Sequence, residues 1–256
     1  MERSRTPWIT TAAVLLFFYL PVAVLVANSF NASRFGGSWE GFTLEWYRKL
    51  ATQREIWTAL KNTLLVAVTA TAVSTVVGTS AAFALHRWRS RLQKAHYLLV
   101  YTPLVIPEIL MGMGLLLFFV TIGLRLGLLT VALSHVTFCI SYVAFVVLGR
   151  LQDFDWGLVE AAEDLGATPW AAFRKVVLPN LAPGIAAGAL LAFTLSIDDF
   201  VITFFTSGPG STTLPVRIYS MIKHGSPALI NALSTILLVV TFTTVWLSQR
   251  LTRENR

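Results

Sequence analysis

Charge and cysteine are both scarce in this chain. Only 13% of its 256 residues are Asp, Glu, Lys or Arg, against about 25% in ordinary soluble domains. A single cysteine, Cys139, excludes an intrachain disulfide framework and a cysteine-built metal centre. The four histidines, His86, His96, His135 and His224, are scattered, so no metal site is expected, and His86 and His96 read as flanking residues at a membrane edge. A Gly-rich phosphate loop closed by Lys is absent, so the chain is not expected to hydrolyse ATP itself. No nucleophile–base arrangement is placed for catalysis, and no cofactor is implied.

Apolar residues fill the space that charge leaves. They make up 55% of the chain, and the mean hydropathy is +0.67. The net charge of +7 could suit nucleic acid, but the basic residues sit at the ends of apolar runs, the pattern of a membrane protein. A bilayer core takes about 20 apolar residues per helix. Six such runs are present, at about 8–28, 57–85, 96–120, 129–149, 184–206 and 228–249. The first is too long for a signal-peptide core and Asn28-Ser29-Phe30 is a poor cleavage site, so it is expected to be retained. The expectation is an all-α integral membrane protein with six transmembrane helices.

Orientation follows from Lys and Arg in the connections. One side collects twelve: Arg3, Arg5, Arg87, Arg89, Arg91, Lys94, Arg150, Arg174, Lys175, Arg250, Arg253 and Arg256. The other has eight, over a longer total length. The positive-inside rule then places both termini in the cytoplasm. On the opposite side, Thr43–Leu50 and Thr213–Ile222 each have the pattern of a short helix. Two readings stand for both: a helix lying on the lipid surface, or an outer platform for a soluble partner.

The third run contains Pro103, Pro107, Gly112 and Gly114. A helix broken there must pack against protein or line a cavity, because lipid satisfies no freed backbone group. Three acids fall within apolar runs: Glu108, Asp198 and Asp199. A charge at mid-membrane costs roughly 2.5–3.5 kcal/mol on insertion scales, so such residues are functional or paired. Adjacent helical positions diverge by about 100°, so at most one of Asp198 and Asp199 points squarely into any one cavity. These carboxylates suit a cation pathway, with cation–π help from Tyr101, Phe193, Phe200, Phe204 and Phe205. Equally, an Asp could cap a break in the fifth helix, and Glu108 could pair with a partner subunit.

The longest polar interruption on the basic side is 153–179. Asp153 or Asp155 can cap a first short helix, with Leu158, Ala161, Ala162 and Leu165 along one side. Gly166 suits a left-handed residue after that helix. Thr168 then serves as N-cap and Pro169 opens a second helix, expected to end at Leu178-Pro179. Trp170 and Phe173 are left exposed unless a partner covers them. A charged helical hairpin held out of the membrane points to a soluble partner, although an ordinary amphipathic surface hairpin would share the pattern.

Glu160-Ala161-Ala162, Gly166, Val176 and Leu178-Pro179 resemble the "EAA loop" of ABC importer permeases, with Val176 where the family favours Ile. Asn28–Asn31, Gly41-Phe42-Thr43 with Trp46-Tyr47, Ser134–Cys139, Phe193–Phe200, Gly208-Pro209, Leu214-Pro215 and Ile218–Met221 extend the likeness. Together these resemble the C-type permease subunit of spermidine/putrescine transport systems. That resemblance implies the type I ABC importer permease fold in one transmembrane domain over 1–256, in a bacterial inner membrane. It implies a homologous sister permease, two cytoplasmic ABC ATPases and a periplasmic polyamine-binding protein as partners, besides membrane lipid and without nucleic acid. Glu160, Ala161, Ala162, Glu163, Asp164, Gly166, Thr168, Pro169, Trp170, Phe173, Arg174, Lys175, Leu178 and Pro179 would carry the ATPase coupling. Relatives that move other small ligands share much of the pattern. A stand-alone ion-coupled secondary transporter, using Glu108 and Asp198, is the competing class.

Overall fold

The computed structural model describes residues 6–87 and 91–254; Arg3, Arg5, Arg89 and Arg256 of the basic clusters lie outside them. The described residues are helical, with one isolated antiparallel bridge between Asn31 and Phe42. The helices are α1 (Thr6–Asn28), α2 (Glu45–Thr52), α3 (Arg54–Arg87), α4 (Gln93–Val105), α5 (Glu108–Thr121) and α6 (Leu128–Gln152). They continue with α7 (Gly157–Asp164), α8 (Pro169–Ala172), α9 (Leu178–Asp198), α10 (Val201–Thr206), α11 (Leu214–Lys223) and α12 (Pro227–Glu254). Among the described residues, five spans are long and apolar enough to cross a membrane: Trp8–Asn28, Arg54–Arg87, Leu128–Gln152, Pro169–Asp198 and Pro227–Trp246. A sixth forms if α4 and α5, bent by 113°, count as one. The third run is thus two helices, and Pro107 explains the break: it forces Ile106 out of the helical region, to ψ 131°.

The chain divides into two compact units, Trp57–Val216 and Met1–Ile56 with Arg217–Arg256. The first is built around α6, which packs along α9 and also against α4 and α10. Val131, Cys139, Val143, Val147 and Leu151 of α6 are fully buried. Close approach is made possible by glycine on both neighbours. A Cβ at Gly78 of α3 would lie 2.8 Å from Ile140 O, and one at Gly188 of α9 would lie 3.4 Å from Val143 Cα. Asn62 Nδ2 donates to Gly210 O and Thr212 O at 3.0 Å each, and Leu214 N donates to Thr63 Oγ1 at 2.7 Å, which ties the 208–214 loop to α3.

In the second unit, α12 packs against α1 and α2. Trp46 and Leu50 of α2 are buried, and Trp46 sits against Ala228 and Ala232. Its indole Nε1 donates to Asn31 O at 2.7 Å. The helix expected at Thr43–Leu50 therefore forms two residues later, and its apolar side faces protein. Asn31 organises the preceding loop: its amide donates to Ser38 O at 2.7 Å, and its Oδ1 accepts from Ser33 N at 3.1 Å and Glu40 N at 3.0 Å.

A Cβ at Gly208 would lie 2.0 Å from Leu126 O. Backbone cannot swing aside as a side chain does, so Gly208→Ala should cost about 3 kcal/mol, the upper end of overpacking penalties. The expected readout is a lower Tm in detergent with helical content retained.

Candidate functional site

Two of the spans are broken, and the breaks face each other. The fifth apolar run, expected over 184–206, forms α9 and α10 with extended backbone at Asp199. Around both breaks lies a recess of about 470 Å³. Its walls are Pro103, Leu104, Ile106, Pro107, Glu108 and Met111 from one break, and Leu195, Asp198, Asp199, Phe200, Val201 and Ile202 from the other. Phe138 and Tyr142 of α6 complete it. A cavity at this place meets the requirement that irregular backbone at membrane depth be buried in protein or line a polar space. The α5–α10 contact behind it is close: a Cβ at Gly112 would lie 2.9 Å from Phe205 Cδ2.

The recess brings together Glu108, Asp198, Asp199 and Phe200. Among the described residues, Tyr101 and Phe193 do not line it. Tyr101 stacks on Tyr97 at 5.9 Å and meets Phe145 edge-on, and Phe193 is half-buried on α9. Phe204 packs on Phe200 and Phe205, one layer behind. The two adjacent acids have different surroundings. Asp198 and Glu108 are exposed and make no ion pair among the described residues. Asp199 is buried. Its Oδ1 accepts from Ile202 N at 3.2 Å and its Oδ2 from Thr203 N at 2.8 Å, so it caps α10.

A residue that the sequence reading set aside completes this corner. His135, 1% exposed, lies 3.2 Å from Asp199 Oδ2, with Ser196 Oγ and Thr203 Oγ1 at 2.7 and 2.9 Å from its two nitrogens. The available signal was the spacing Ser196, Asp199, Thr203, which puts three polar groups on one side of a broken span, opposite a lone His in an apolar helix.

The hairpin is a second site. Asp155, rather than Asp153, starts α7, with Oδ1 accepting from Gly157 N at 2.9 Å. Gly166 adopts φ +84°. Gly166 N donates to Glu163 O at 2.8 Å and Ala167 N to Ala162 O at 3.0 Å, the paired bonds of a glycine-terminated helix. Thr168 Oγ1 then accepts from Ala171 N at 3.3 Å, with Pro169 first in α8. Three features differ from expectation. The packed residue of α7 is Val159, whereas Leu158 and Leu165 are exposed, because the helix turns its 159/162 side to the core. Phe173 is half-buried, edge-on to Phe83 at 5.5 Å, while Trp170 stacks on it and stays 69% exposed. The second helix does not end at Leu178-Pro179. Phe173–Val177 forms one wide π turn, in which Leu178 N reaches Phe173 O, and the helix continues as α9. The wider turn gives the Pro179 ring room where a normal turn would clash.

Glu160, Ala161, Glu163, Asp164, Arg174, Lys175 and Pro179 stay exposed on this hairpin. Its root is fixed to α3: Trp156 stacks on His86 at 5.4 Å and its Nε1 donates to His86 Nε2 at 3.1 Å. Between the hairpin and the end of α3 opens a recess of about 930 Å³, walled by Phe83, Arg87, Val159, Glu160, Glu163 and Trp170 among others.

Comparison with known proteins decides the class. Residues 74–253 match the family described as "Binding-protein-dependent transport system inner membrane component". The chain belongs to that family. This permease is 40% identical over 243 residues to the spermidine/putrescine transport system permease protein PotC of Escherichia coli K12, covering 95% of this chain and 92% of that one. It is 41% identical over 243 residues to the putrescine transport system permease protein PotI of the same organism, covering 91% and 86%. Among solved structures, the fold matches a bacterial ABC transporter involved in import of the acidic polysaccharide alginate, at TM-score 0.73 and 16% identity over 96% of this chain and 98% of that one. It also matches the MetNI methionine ABC transporter, at TM-score 0.64 and 21% identity over 83% and 98%.

A side chain at Gly166 would have to adopt φ +84°, at a cost of about 1–2 kcal/mol for a non-glycine residue. Gly166→Val should therefore speed amide exchange over residues 163–170 severalfold while leaving α6 protected.

Proposed function

We propose that this permease is one half of the pore of an ATP-driven polyamine importer in a bacterial inner membrane. Residues 1–256 act as one transmembrane domain with both termini in the cytoplasm, as the Lys and Arg bias supports. The observation that carries the reading is the recess between two broken spans, where Glu108 and Asp198 stand without a basic partner among the described residues. Because α9 ends at Asp198, its negative end lies at the same place. Carboxylates, a helix C-terminus and the Phe200 ring favour a cation, and similarity to spermidine and putrescine permeases supports a polyamine.

The partners follow from the surfaces. Residues 153–179 form the coupling loop for a cytoplasmic ATPase, with Leu165, Trp170 and the exposed charges of the hairpin as its contact surface. Leu165 is 90% exposed at the tip of a polar hairpin, where lipid does not cover it. Glu160, Ala161, Ala162, Glu163, Asp164, Gly166, Thr168, Pro169, Arg174 and Lys175 shape that surface, while Phe173, Leu178 and Pro179 join it to α9. A sister permease supplies the other half of the pore, and a periplasmic binding protein delivers the polyamine. ATP-driven closure of two ATPases moves the hairpin and opens the recess to alternate sides.

The test is uptake of labelled spermidine into proteoliposomes holding this chain, its sister permease, the ATPases and the loaded binding protein. Asp198→Asn should lower spermidine moved per ATP hydrolysed by about tenfold or more, since a charge-assisted contact contributes about 1.5–3 kcal/mol. Gly166→Asp should abolish uptake by releasing the ATPases. Uptake by wild type at full rate without ATPases or ATP would sink the importer reading in favour of a secondary transporter.

A further inference from the structure

Adjacent acids at one helix break raise the question of which one meets the cargo. An ionised carboxylate offers about four lone-pair directions. Asp199 already takes four donors: Ile202 N at 3.2 Å, Thr203 N at 2.8 Å, Thr203 Oγ1 at 2.7 Å and His135 Nε2 at 3.2 Å. Three of the four converge on Oδ2, and the one lone pair left on Oδ1 belongs to a residue that is only 9% exposed, so Asp199 offers an ammonium group little access. The same bonds fix the histidine. Thr203 has one hydroxyl hydrogen and gives it to Asp199, so its oxygen can only accept from His135 Nε2, 2.9 Å away. His135 therefore carries a proton on Nε2 and directs it toward Asp199 and Thr203, with Nδ1 turned to Ser196 Oγ.

This network crosses elements. His135 is on α6, Ser196 near the end of α9, Asp199 in the break and Thr203 in α10. One and a half turns earlier on α6, Thr130 Oγ1 donates to Thr206 O at 2.8 Å, holding the other end of α10. The break is thus clamped to the best-packed helix of its unit at both ends of α10. Asp198, directly before the clamped residue, is left facing the recess.

We propose that His135 is a positioning residue for transport: with Asp199 it pins the break between α9 and α10, and so aims Asp198, the acid of the pair that meets the cation. The inference rests on the recess being the cation path. Asp199 serves as an anchor rather than a ligand for cargo.

A double-mutant cycle in the reconstituted full transporter tests it, with spermidine as the probe. The readouts are assembly with the ATPases, ATP hydrolysis stimulated by loaded binding protein, and spermidine moved per ATP. His135→Asn, too short to reach Asp199, should leave assembly and hydrolysis within about twofold and lower spermidine per ATP by about tenfold. Asp199→Asn added to it should lower the ratio less than twofold further. His135→Gln, whose amide nitrogen can replace Nε2, should restore most of the loss. Losses that multiply in the double variant would overturn the proposal by making Asp199 an independent cation ligand. Failure of His135→Asn to assemble would overturn it too, reducing His135 to a residue of the fold. If Asp198→Asn alone leaves spermidine per ATP unchanged, the recess reading itself fails, an outcome separate from either of these.

Discussion

Lipid offers no hydrogen bonds, and this single fact organises the structure. Every backbone group inside the bilayer must find a partner within the protein. An unbroken apolar helix meets that demand alone, and α1, exposed along nearly all its length, needs little else. A broken helix cannot. The two breaks, at Ile106-Pro107 and at Asp199-Phe200, are therefore found together and sheltered against α6. The helix that shelters them is the one whose own side chains are most thoroughly buried and whose neighbours thin to glycine where they touch it. The recess is a by-product of shielding two interrupted helices, and polar side chains are affordable there for the same reason.

Much of this was legible in the sequence. The apolar runs, the Pro107 break and the hairpin signals at Gly166, Thr168 and Pro169 are local: each depends on one residue's backbone preference or on composition over about 20 positions. Glu108, Asp198, Asp199 and Phe200 were traceable because acids inside apolar runs are costly enough to demand a reason. What the sequence did not disclose depends on pairing across distance. Asp199 could be read as a cap or as a pathway residue; its bonds from Ile202 N and Thr203 N make it a cap, and its contact with His135, 64 positions earlier, has no local signal. Which side of α7 packs, and whether Phe173 is covered, depends on Phe83 and the position of α3, which no local periodicity encodes. Tyr101 and Phe193 read as cation–π partners for the carboxylates; neither is among the walls of the recess, because helix rotation is set by packing across the fold rather than by local pattern.

The hairpin and the recess differ in how they are held. The recess has a buried polar network at its back, with His135, Asp199, Thr203 and Ser196 all enclosed. Such networks specify one geometry, because any partial arrangement strands a buried polar group. The hairpin is held by aromatic faces, Trp156 on His86 and Phe173 on Phe83, and leaves its tip uncovered. Ring contacts, stacked at Trp156 and edge-on at Phe173, are less directional than a carboxylate with four donors. One site is held by a buried polar network and the other by ring contacts at its root.

The π turn at Phe173–Val177 links the two. Because the helix does not stop there, Trp170 and Asp198 stand near opposite ends of one 30-residue helix, Pro169–Asp198, about 45 Å long at the ordinary rise per residue. A wide turn holds one residue more than a normal one, and each residue along a helix is worth about 100° of rotation. The extra residue thus sets a phase: it indexes the direction in which the uncovered tip faces to the direction in which the carboxylate faces, as a keyed shaft indexes two gears. Any shift or rotation of this helix as one body would carry both ends together, and the number of residues in that single turn sets the fixed angle between them.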